Sequence, residues 1–167
     1  MTFLYHLASP LGGITLASDG EALTGLWFDG QKHFPETAGM ERVEKPLPVF
    51  SETAEWLAVY FSGRAPDFTP ALRPGGTPFC RAVWELLAEI PFGRTVTYGE
   101  LARRLAERPG AGRVSARAVG GAVGRNPISL ILPCHRVVGA GGKLTGYAGG
   151  LERKEWLLRL EAESQPA

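Results

Sequence analysis

The chain contains few cysteines and histidines. Two cysteines and three histidines are scattered over 167 residues without the clustered spacing of a metal site, and we expect no metal and no other cofactor. No apolar run approaches the roughly 20 residues that cross a bilayer, and no basic stretch precedes an apolar core at the N-terminus. The sequence therefore predicts a cytoplasmic protein with no membrane contact and with free thiols.

Charge is distributed unevenly along the chain. Residues 1–72 contain four basic and nine acidic residues (net −5), whereas residues 73–167 contain fourteen basic and eight acidic residues (net +6). Prolines and glycines are concentrated where the sign changes, between Pro66 and Gly76. We therefore predict an N-terminal domain over 1–72 and a C-terminal domain over 73–167. The basic second domain favours a nucleic-acid partner, although an arginine-rich surface facing solvent would have the same composition.

The first half has the pattern of a small α/β domain. Apolar and β-branched stretches within residues 2–29 are separated by turn residues, which predicts three strands of a meander. Residues 30–48 are polar with several prolines and predict a loop. Residues 49–62 predict a helix because apolar residues recur on one face. That face consists of Phe50, Ala54, Leu57, Ala58 and Phe61.

The second half is predicted to be mostly helical, so the fold class is α+β. Apolar periodicity and capping residues predict helices over residues 77–90, 97–106, 115–123 and 151–161. The predicted N-caps are Thr77, Thr97 and Ser115. Two short helices around a loop of glycine and proline suggest a helix-turn-helix.

The most informative segment runs from Leu132 to Val137 and reads Leu-Pro-Cys-His-Arg-Val. Cys134 lies beside His135 inside a strongly apolar stretch. The thiolate is the nucleophilic form of cysteine, and a free thiol with a pKa of about 8.5 is only a few per cent ionised at neutral pH. A neighbouring base and a pocket would activate the sulfur, so the segment predicts a buried nucleophile. The alternative is an inert buried thiol.

The third predicted helix has few long side chains. After Arg117 it continues Ala-Val-Gly-Gly-Ala-Val-Gly to Gly124, although a glycine inside a helix costs about 1 kcal/mol relative to alanine. Such a helix presents little to base edges in the major groove. Its small residues would allow close approach to the narrow minor groove, with Arg117 reaching in. Close packing between helices is the alternative explanation for the glycines.

Together these residues resemble a family signature. Residues 133–137, preceded by Asn126-Pro127 and followed by residues 147–150, are similar to the active-site signature of the O(6)-alkylguanine-DNA alkyltransferases. Ordered matches extend from about Thr77 to Glu161, and the N-terminal part resembles the family only loosely. The resemblance implies a ribonuclease-H-like antiparallel sheet with a helix in the first domain and a winged helix-turn-helix-like second domain. We expect a monomer whose partner is double-stranded DNA containing alkylated guanine.

The resemblance also implies a reaction. Cys134 matches the nucleophile, which takes the alkyl group from guanine O(6), and in our expectation from thymine O(4), keeps it permanently and acts once. His135 matches a base that acts through a water, since adjacent side chains of an extended segment point apart, and Glu161 matches the acid that orients His135. Tyr98 matches the residue that donates a hydrogen bond to the leaving guanine. Asn126 matches the hinge between the recognition helix and the active-site strand.

Other positions match binding residues of the family. The substrate-binding set is Tyr147, Ala148, Gly149, Lys154 and Ser129. In the DNA-binding set, the arginine of the helix fills the space of a nucleotide rotated out of the duplex. That set is Arg117, Ser115, Ala118, Gly121 and Arg125.

Considered one at a time, several of these residues have a purely structural explanation. His135 could be a core histidine with satisfied hydrogen bonds, and Tyr98 a wedge at the start of a helix. Glu161 could lie at a solvated helix end, and Lys154 on the surface. Arg136 is predicted to be a structural ion-pair partner rather than a DNA contact.

The sequence departs from the family pattern at two places. The stretch between Tyr98 and Arg117 is several residues longer than in many members, and we expect its loop to follow the DNA backbone differently. Ser129 and Ala148 stand where other members carry other small or cyclic residues, which bears on the size of alkyl group accepted.

Three other functions fit parts of the sequence. A non-enzymatic relative that binds and flags the damaged base lacks the cysteine, so Cys134 argues against it. A helix-turn-helix regulator requires base-specific readout, which a helix of alanine and glycine does not supply. A cysteine hydrolase would turn over, whereas a sulfur that keeps an alkyl group reacts once.

Overall fold

The computed structural model of the chain describes residues 1–164, so residues 165–167 of the predicted second domain lie outside the described part. Within residues 1–72 the chain forms one sheet and one helix. In chain order the elements are β1 (Phe3–Ser9), β2 (Gly12–Ser18), β3 (Leu23–Phe28), β4 (Glu41–Arg42) and α1 (Pro48–Phe61). The strand order is β3-β2-β1-β4, with β1–β2 and β2–β3 antiparallel and β4 parallel to β1. The predicted meander and helix are confirmed. The prediction of a loop over residues 30–48 was wrong at β4, which adds an edge strand to the sheet.

Helix α1 buries only part of the predicted stripe of residues. Its buried residues are Val49, Phe50, Thr53, Trp56, Leu57 and Tyr60. Ala58 is exposed, and Ala54 and Phe61 are only half-buried, so the predicted face was wrong in part. The helix packs on two partners: Phe50 contacts Tyr5 of the sheet, whereas Tyr60 contacts His135 of the C-terminal part. A helix with two partners buries a wider arc than one apolar stripe indicates.

Within residues 73–164 the chain forms four α-helices and a pair of short strands. They are α2 (Pro78–Ala88), β5 (Val96–Thr97), α3 (Tyr98–Ala106), α4 (Ala116–Gly124), β6 (Val137–Val138) and α5 (Leu151–Glu163). The side chains of Thr77, Thr97 and Ser115 each accept a hydrogen bond from the amide three residues later, which confirms the three N-caps. Strands β5 and β6 pair in parallel. The α+β fold with a mostly helical second part is confirmed.

Helices α3 and α4 form the helix-turn-helix. They pack against each other and against α2. Helix α4 buries Val119, Ala122 and Val123, and the indole nitrogen of Trp84 on α2 donates a hydrogen bond of 2.8 Å to the carbonyl of Ala122. The opposite face of α4 is exposed and free to meet a partner.

The N-terminal sheet continues into the segment that leads to Cys134. The amide of Leu26 on β3 donates to the carbonyl of Pro127 at 2.8 Å, and the amide of Ser129 donates to the carbonyl of Leu26 at 3.0 Å. Apolar residues from both halves, including Phe28 and Leu132, belong to one core cluster. The sheet therefore supports the backbone that carries the candidate nucleophile.

Two findings bear on the function classes weighed above. Cys80 and Cys134 are both free and buried, which confirms the predicted free thiols. In residues 1–164 no helix is long and apolar enough to cross a membrane, and no three His, Cys, Asp or Glu side chains are grouped to hold a metal ion.

Candidate active site

Cys134 lies in a short 3-10 turn, Cys134–Arg136, so the extended segment predicted there was wrong. The amide of Cys134 donates to the carbonyl of Leu132 at 2.8 Å, and this tight contact starts the turn. Because a 3-10 helix has three residues per turn, neighbouring side chains still point in different directions. Leu130, just upstream, has a φ of 72°, a left-handed conformation that costs a residue with a side chain about 1–3 kcal/mol and persists only in a tightly packed surrounding.

The sulfur of Cys134 is almost completely enclosed, with 5% of the residue exposed. Burial raises the pKa of the Cys134 thiol, and a hydrogen bond from the Asn126 side chain and the positive charge of Lys154 act in the opposite direction. The sulfur therefore rests as a thiol, and a base must remove its proton before it can act as a nucleophile. The site holds the partners of a thiolate in place before that thiolate forms.

His135 and Glu161 form a buried imidazole–carboxylate pair. Nε2 of His135 lies 2.5 Å from Oε2 of Glu161. Burial alone would raise the pKa of Glu161, but the hydrogen bonds from His135 and Arg136 and the positive charge of Arg136 outweigh it and lower that pKa to about 2. An ionised carboxylate requires the proton on Nε2, and this assignment rests on the hydrogen-bond network. Glu161 is therefore not at a solvated helix end.

The other imidazole nitrogen is available for chemistry. Burial lowers the pKa of His135, so the ring is neutral and Nδ1 carries a lone pair. Nδ1 is buried and has no hydrogen-bond partner among residues 1–164. A buried lone pair on the residue that follows a buried thiol in the chain suits a base that acts by direct contact or through one water.

Arg136 neutralises the carboxylate, as predicted. Its Nε donates to Oε1 of Glu161 at 2.8 Å and one terminal nitrogen donates to Oε2 at 3.2 Å. The other terminal nitrogen donates to the carbonyl of Ile90 at 2.7 Å, and the amide of Gly93 donates to Oε1 of Glu161 at 2.9 Å. The buried carboxylate thus has both a counterion and the hydrogen bonds that a buried charge needs.

Lys154 is completely buried, so the alternative of a surface lysine was wrong. Its Nζ donates to the carbonyl of Val137 at 2.7 Å and to the carbonyl of Thr145 at 3.2 Å. These two bonds tie the loop before Tyr147 to the strand after the nucleophile. Burial lowers the pKa of Lys154, and the proximity of Cys134 opposes this, so the ammonium group and the sulfur influence each other.

We refer to Cys134, His135 and Glu161 as the relay. An open cavity of about 320 Å³ lies next to the relay. It is lined by Lys32, His33, Tyr98, Gly120, Gly124, Gly146, Tyr147 and Ala148. The hydroxyl of Tyr98 is 3.0 Å from the hydroxyl of Thr145, so it is already part of a hydrogen bond at the cavity wall and not only a wedge. Tyr147 connects the cavity to the relay: its ring lies edge-on to His135, and burial and the proximity of Cys134 raise its pKa.

The loop that carries Tyr147 has no room for a side chain at Gly149. A Cβ there would lie 2.6 Å from a ring carbon of Tyr147 and 3.1 Å from Phe28. Arg153 holds the same loop from outside, since it donates to the carbonyl of Gly149 at 3.0 Å and to the carbonyl of Leu11 at 3.1 Å and lies over the ring of Phe28. The loop is therefore fixed against the N-terminal sheet.

Asn126 and Ser129 hold the turn that leads to Cys134. The side-chain nitrogen of Asn126 donates to the carbonyl of Leu132 at 2.7 Å, and its oxygen accepts from the amide of Ile128 at 3.0 Å. Ser129 is buried, and its hydroxyl lies close enough to the sulfur to favour the thiolate of Cys134. Each of the predicted catalytic and substrate-binding residues thus lies in the relay, on the cavity wall or directly behind it.

Comparison with known proteins decides the family. Sequence profiles of the ribonuclease-like domain and of the DNA binding domain of 6-O-methylguanine DNA methyltransferase match residues 4–74 and 78–163. The chain belongs to this family. Family membership gives the class of activity, which is DNA repair by methyl transfer to a protein cysteine.

Individual relatives agree with this family. The methylated-DNA–protein-cysteine methyltransferase of Haemophilus influenzae is 44% identical and covers 96% of this chain and 88% of its own. The enzyme of the same name from Mycolicibacterium paratuberculosis is 46% identical, and the match covers 95% of this chain and 92% of the relative. Among solved structures, Mycobacterium tuberculosis O6-methylguanine methyltransferase is 42% identical in sequence and superposes with a TM-score of 0.86. The match covers 100% of this chain and 96% of that protein. Mycobacterium tuberculosis OGT in complex with DNA is 43% identical, covers 99% and 96%, and has a TM-score of 0.84.

The predicted DNA-binding set of this family member lies on the exposed face of α4 and its flanks. Arg117, Ser115, Ala118, Gly121 and Arg125 are all exposed. A Cβ placed on Gly121 or Gly124 would meet nothing within 4 Å, and one on Gly120 would reach the Tyr98 ring only at 3.8 Å. The alternative that these glycines serve packing within the chain was therefore wrong. They leave open space on the surface beside the cavity.

The sequence analysis missed four residues of the site. Lys32 and His33 come from the predicted loop and line the cavity, and no sequence signal distinguishes them. Arg153 stands one position before Lys154 without a separate motif. Tyr60 of α1 donates to Oε2 of Glu161 at 2.6 Å, and the available signal was a tyrosine near the end of an amphipathic helix.

Proposed function

We propose that this chain repairs double-stranded DNA by moving an alkyl group from O(6) of guanine to the sulfur of Cys134, irreversibly and once per molecule. The observation that carries the proposal is the juxtaposition of a buried thiol, a neutral imidazole with a free Nδ1 and an open cavity whose wall includes Tyr147. The cavity admits a base, and the relay supplies the proton acceptor. No cofactor enters the reaction because the sulfur itself is the acceptor.

The atoms of the reaction balance without another reactant. Nδ1 of His135, through a water, takes the proton of the Cys134 thiol, while Glu161 stabilises the imidazolium. The sulfur attacks the alkyl carbon, the S–C bond forms, and the C–O(6) bond breaks with its electron pair on guanine. Tyr98 donates a hydrogen bond to the base as its negative charge develops, and the proton passes finally to guanine. The thioether product has no leaving group that water could displace under mild conditions.

We propose that the damaged nucleotide leaves the duplex through the minor groove. The open surface at Gly121 and Gly124 lets the α4 backbone approach the groove, and the exposed Arg117 fills the space of the extruded base. Extrusion costs a few kcal/mol, least for a poorly paired base. A pocket next to the helix is needed to receive that base, and the cavity lies beside Gly120 and Gly124.

The same displacement extends to thymine O(4) in our proposal. The leaving group is again an oxygen on the base ring that carries an alkyl carbon, and a pyrimidine is smaller than the purine that the cavity must hold.

We also propose that the chain acts as a monomer in a reducing cytoplasm. Residues 73–167 carry the DNA contacts and the sulfur in this proposal, and residues 1–72 support them.

Mass measurement of the intact protein tests the chemistry. The protein is incubated with duplexes that contain O(6)-methylguanine or O(4)-methylthymine. We expect one methyl group per molecule, located on Cys134 by peptide mapping and absent in Cys134→Ser. Cys80→Ser is the matched control, because Cys80 is also free and buried, and it should react normally. Tight binding to the damaged duplex without a mass change would support the damage-binding alternative, and turnover would support a hydrolase.

Arg117→Ala tests extrusion separately. We expect a much slower reaction on duplex DNA and nearly normal reaction with free O(6)-alkylguanine, because only the duplex leaves a space to fill. Equal loss on both substrates would contradict the role.

Affinity for the duplex should also fall steeply with salt, as phosphate contacts release counterions.

A further inference from the structure

The N-terminal part places a side chain directly in the relay. Tyr60 of α1 is completely buried, and its hydroxyl lies 2.6 Å from Oε2 of Glu161 and 3.3 Å from Nε2 of His135. The three residues come from three separate elements, so the tertiary fold alone brings them together. The tyrosine hydroxyl therefore contacts both members of the imidazole–carboxylate pair, and its shorter contact is to the carboxylate oxygen that also binds the imidazole.

The direction of these hydrogen bonds can be assigned. Burial, and then the charge of Glu161, raise the pKa of Tyr60, so its hydroxyl keeps its proton and can donate. Nε2 of His135 carries the proton that it shares with Glu161, and therefore cannot accept. Tyr60 thus donates to Oε2 of Glu161. The carboxylate oxygen accepts hydrogen bonds from the tyrosine and the imidazole at once.

We propose that Tyr60 is a positioning residue of the alkyl transfer, which donates to Glu161 and so limits how strongly this carboxylate attracts the proton of His135. The inference rests on the proposed function, because it requires His135 to be the base for Cys134. A carboxylate with one donor fewer concentrates its charge on the remaining donors. Without the tyrosine hydroxyl, Glu161 would stabilise imidazolium more strongly, and a protonated ring cannot take the proton of the thiol.

Several other charged or titratable groups surround the imidazole of His135, and Tyr60→Phe leaves them unchanged. Apart from Tyr60 and Glu161, the groups that face His135 are Arg136, Lys154 and Tyr147, and Cys134 precedes it in the chain. Arg136 and Lys154 both disfavour a positive charge on the ring. The Tyr60 hydroxyl acts in the same direction through the carboxylate.

The ring of Tyr60 is held independently of its hydroxyl. It stacks on Trp56 with centroids 5.4 Å apart and meets Phe61 and Phe92 edge-on at 5.4 and 5.9 Å. Tyr60→Phe therefore removes one hydroxyl and keeps the packing. Tyr5→Phe is a matched control, since Tyr5 also packs on a ring of the N-terminal part, Phe50, but lies outside the relay.

The experiment is a pH profile of the single-turnover rate on methylated duplex, from about pH 5 to pH 9. For Tyr60→Phe we expect the acid limb, where protonation of His135 stops the reaction, to move upward by about one pH unit, the shift expected on losing one hydrogen bond to a charge. Below that limb the rate falls about tenfold relative to wild type. Tyr5→Phe should leave the profile unchanged. A loss of folding alone would lower the reactive fraction equally at every pH.

Imidazole titration gives a second readout. The ¹⁵N shifts of His135 in the labelled full chain should titrate at higher pH in Tyr60→Phe than in wild type. An unchanged acid limb together with unchanged imidazole shifts would overturn the role of Tyr60 and leave the proposed function intact. Transfer that persists in Cys134→Ser would instead overturn the proposed function.

Discussion

Glu161→Gln should destabilise the protein strongly, although it changes only one oxygen to nitrogen. The carboxylate accepts hydrogen bonds from Tyr60, Gly93, His135 and Arg136. A glutamine amide has one acceptor oxygen, and its NH₂ group would face donors. It also leaves the Arg136 guanidinium buried without a counterion.

The magnitude can be worked out in two ways. Removing one partner of a buried ion pair costs about 3–5 kcal/mol. Independently, a carboxyl whose pKa falls from 4.5 to about 2 in the folded state stabilises that state by about 3 kcal/mol. For a chain of this size 1 kcal/mol corresponds to about 2–4 °C in Tm. We therefore expect the Tm of Glu161→Gln to be lower by about 6–20 °C.

Thermal unfolding followed by circular dichroism measures this, with Glu52→Gln as control, since Glu52 is exposed on α1. The pKa of Glu161 is lowered on folding, so its stabilisation is present above the ordinary carboxyl pKa of 4.5 and is lost as the pH falls toward 2. The difference in Tm between wild type and Glu161→Gln should therefore shrink as the pH is lowered from about 6 to 3. A Tm within about 3 °C of wild type at neutral pH, or a difference independent of pH, would refute the reasoning.

Three further substitutions test other parts of the site. Lys154→Met removes the charge near the sulfur, so the thiol pKa should rise further and alkylation by iodoacetamide should slow; an unchanged pH dependence of that alkylation would contradict this. Gly149→Ala forces a Cβ into the ring of Tyr147, and such overpacking costs about 1–3 kcal/mol; transfer measured on methylated duplex should be at least tenfold slower, and a wild-type rate would show that the loop can yield. Gly121→Ala should raise the free energy of unfolding by up to about 1 kcal/mol, because its Cβ meets open space and alanine is the better helix former. The same substitution should weaken duplex binding in a titration, and unchanged affinity would place this glycine away from DNA.

Sequence patterns with a short range predicted the fold well. The caps at Thr77, Thr97 and Ser115 depend on residues three positions apart, and the structure has each of them. The meander likewise follows from alternation and turns. Strand β4 was missed because two residues at a sheet edge, Glu41 and Arg42, carry no periodicity, and only their pairing with β1 makes them a strand.

The sequence predicted candidate site residues but not the long-range contacts between them. The resemblance supplied Cys134, His135 and Glu161, and the structure brings the last two together. It could not supply Tyr60, since a tyrosine on the buried face of an amphipathic helix is typical of a core residue until its hydroxyl is found against a carboxylate from another element. The burial of Lys154 was equally hidden, because its partners are backbone carbonyls, which have no signature in the sequence.

Burial explains why the relay needs fixed charges on both sides. It raises the pKa of the Cys134 thiol and lowers that of the His135 imidazole, so both groups are uncharged at rest. The proposed proton transfer between them creates a negative sulfur and a positive ring in a site that disfavours each charge. Lys154 lies where the negative charge develops and Glu161 where the positive charge develops, and neither has to move. In the proposed function, a sulfur that reacts only once is thereby kept unreactive until an alkylated nucleobase in the cavity offers it a carbon to attack.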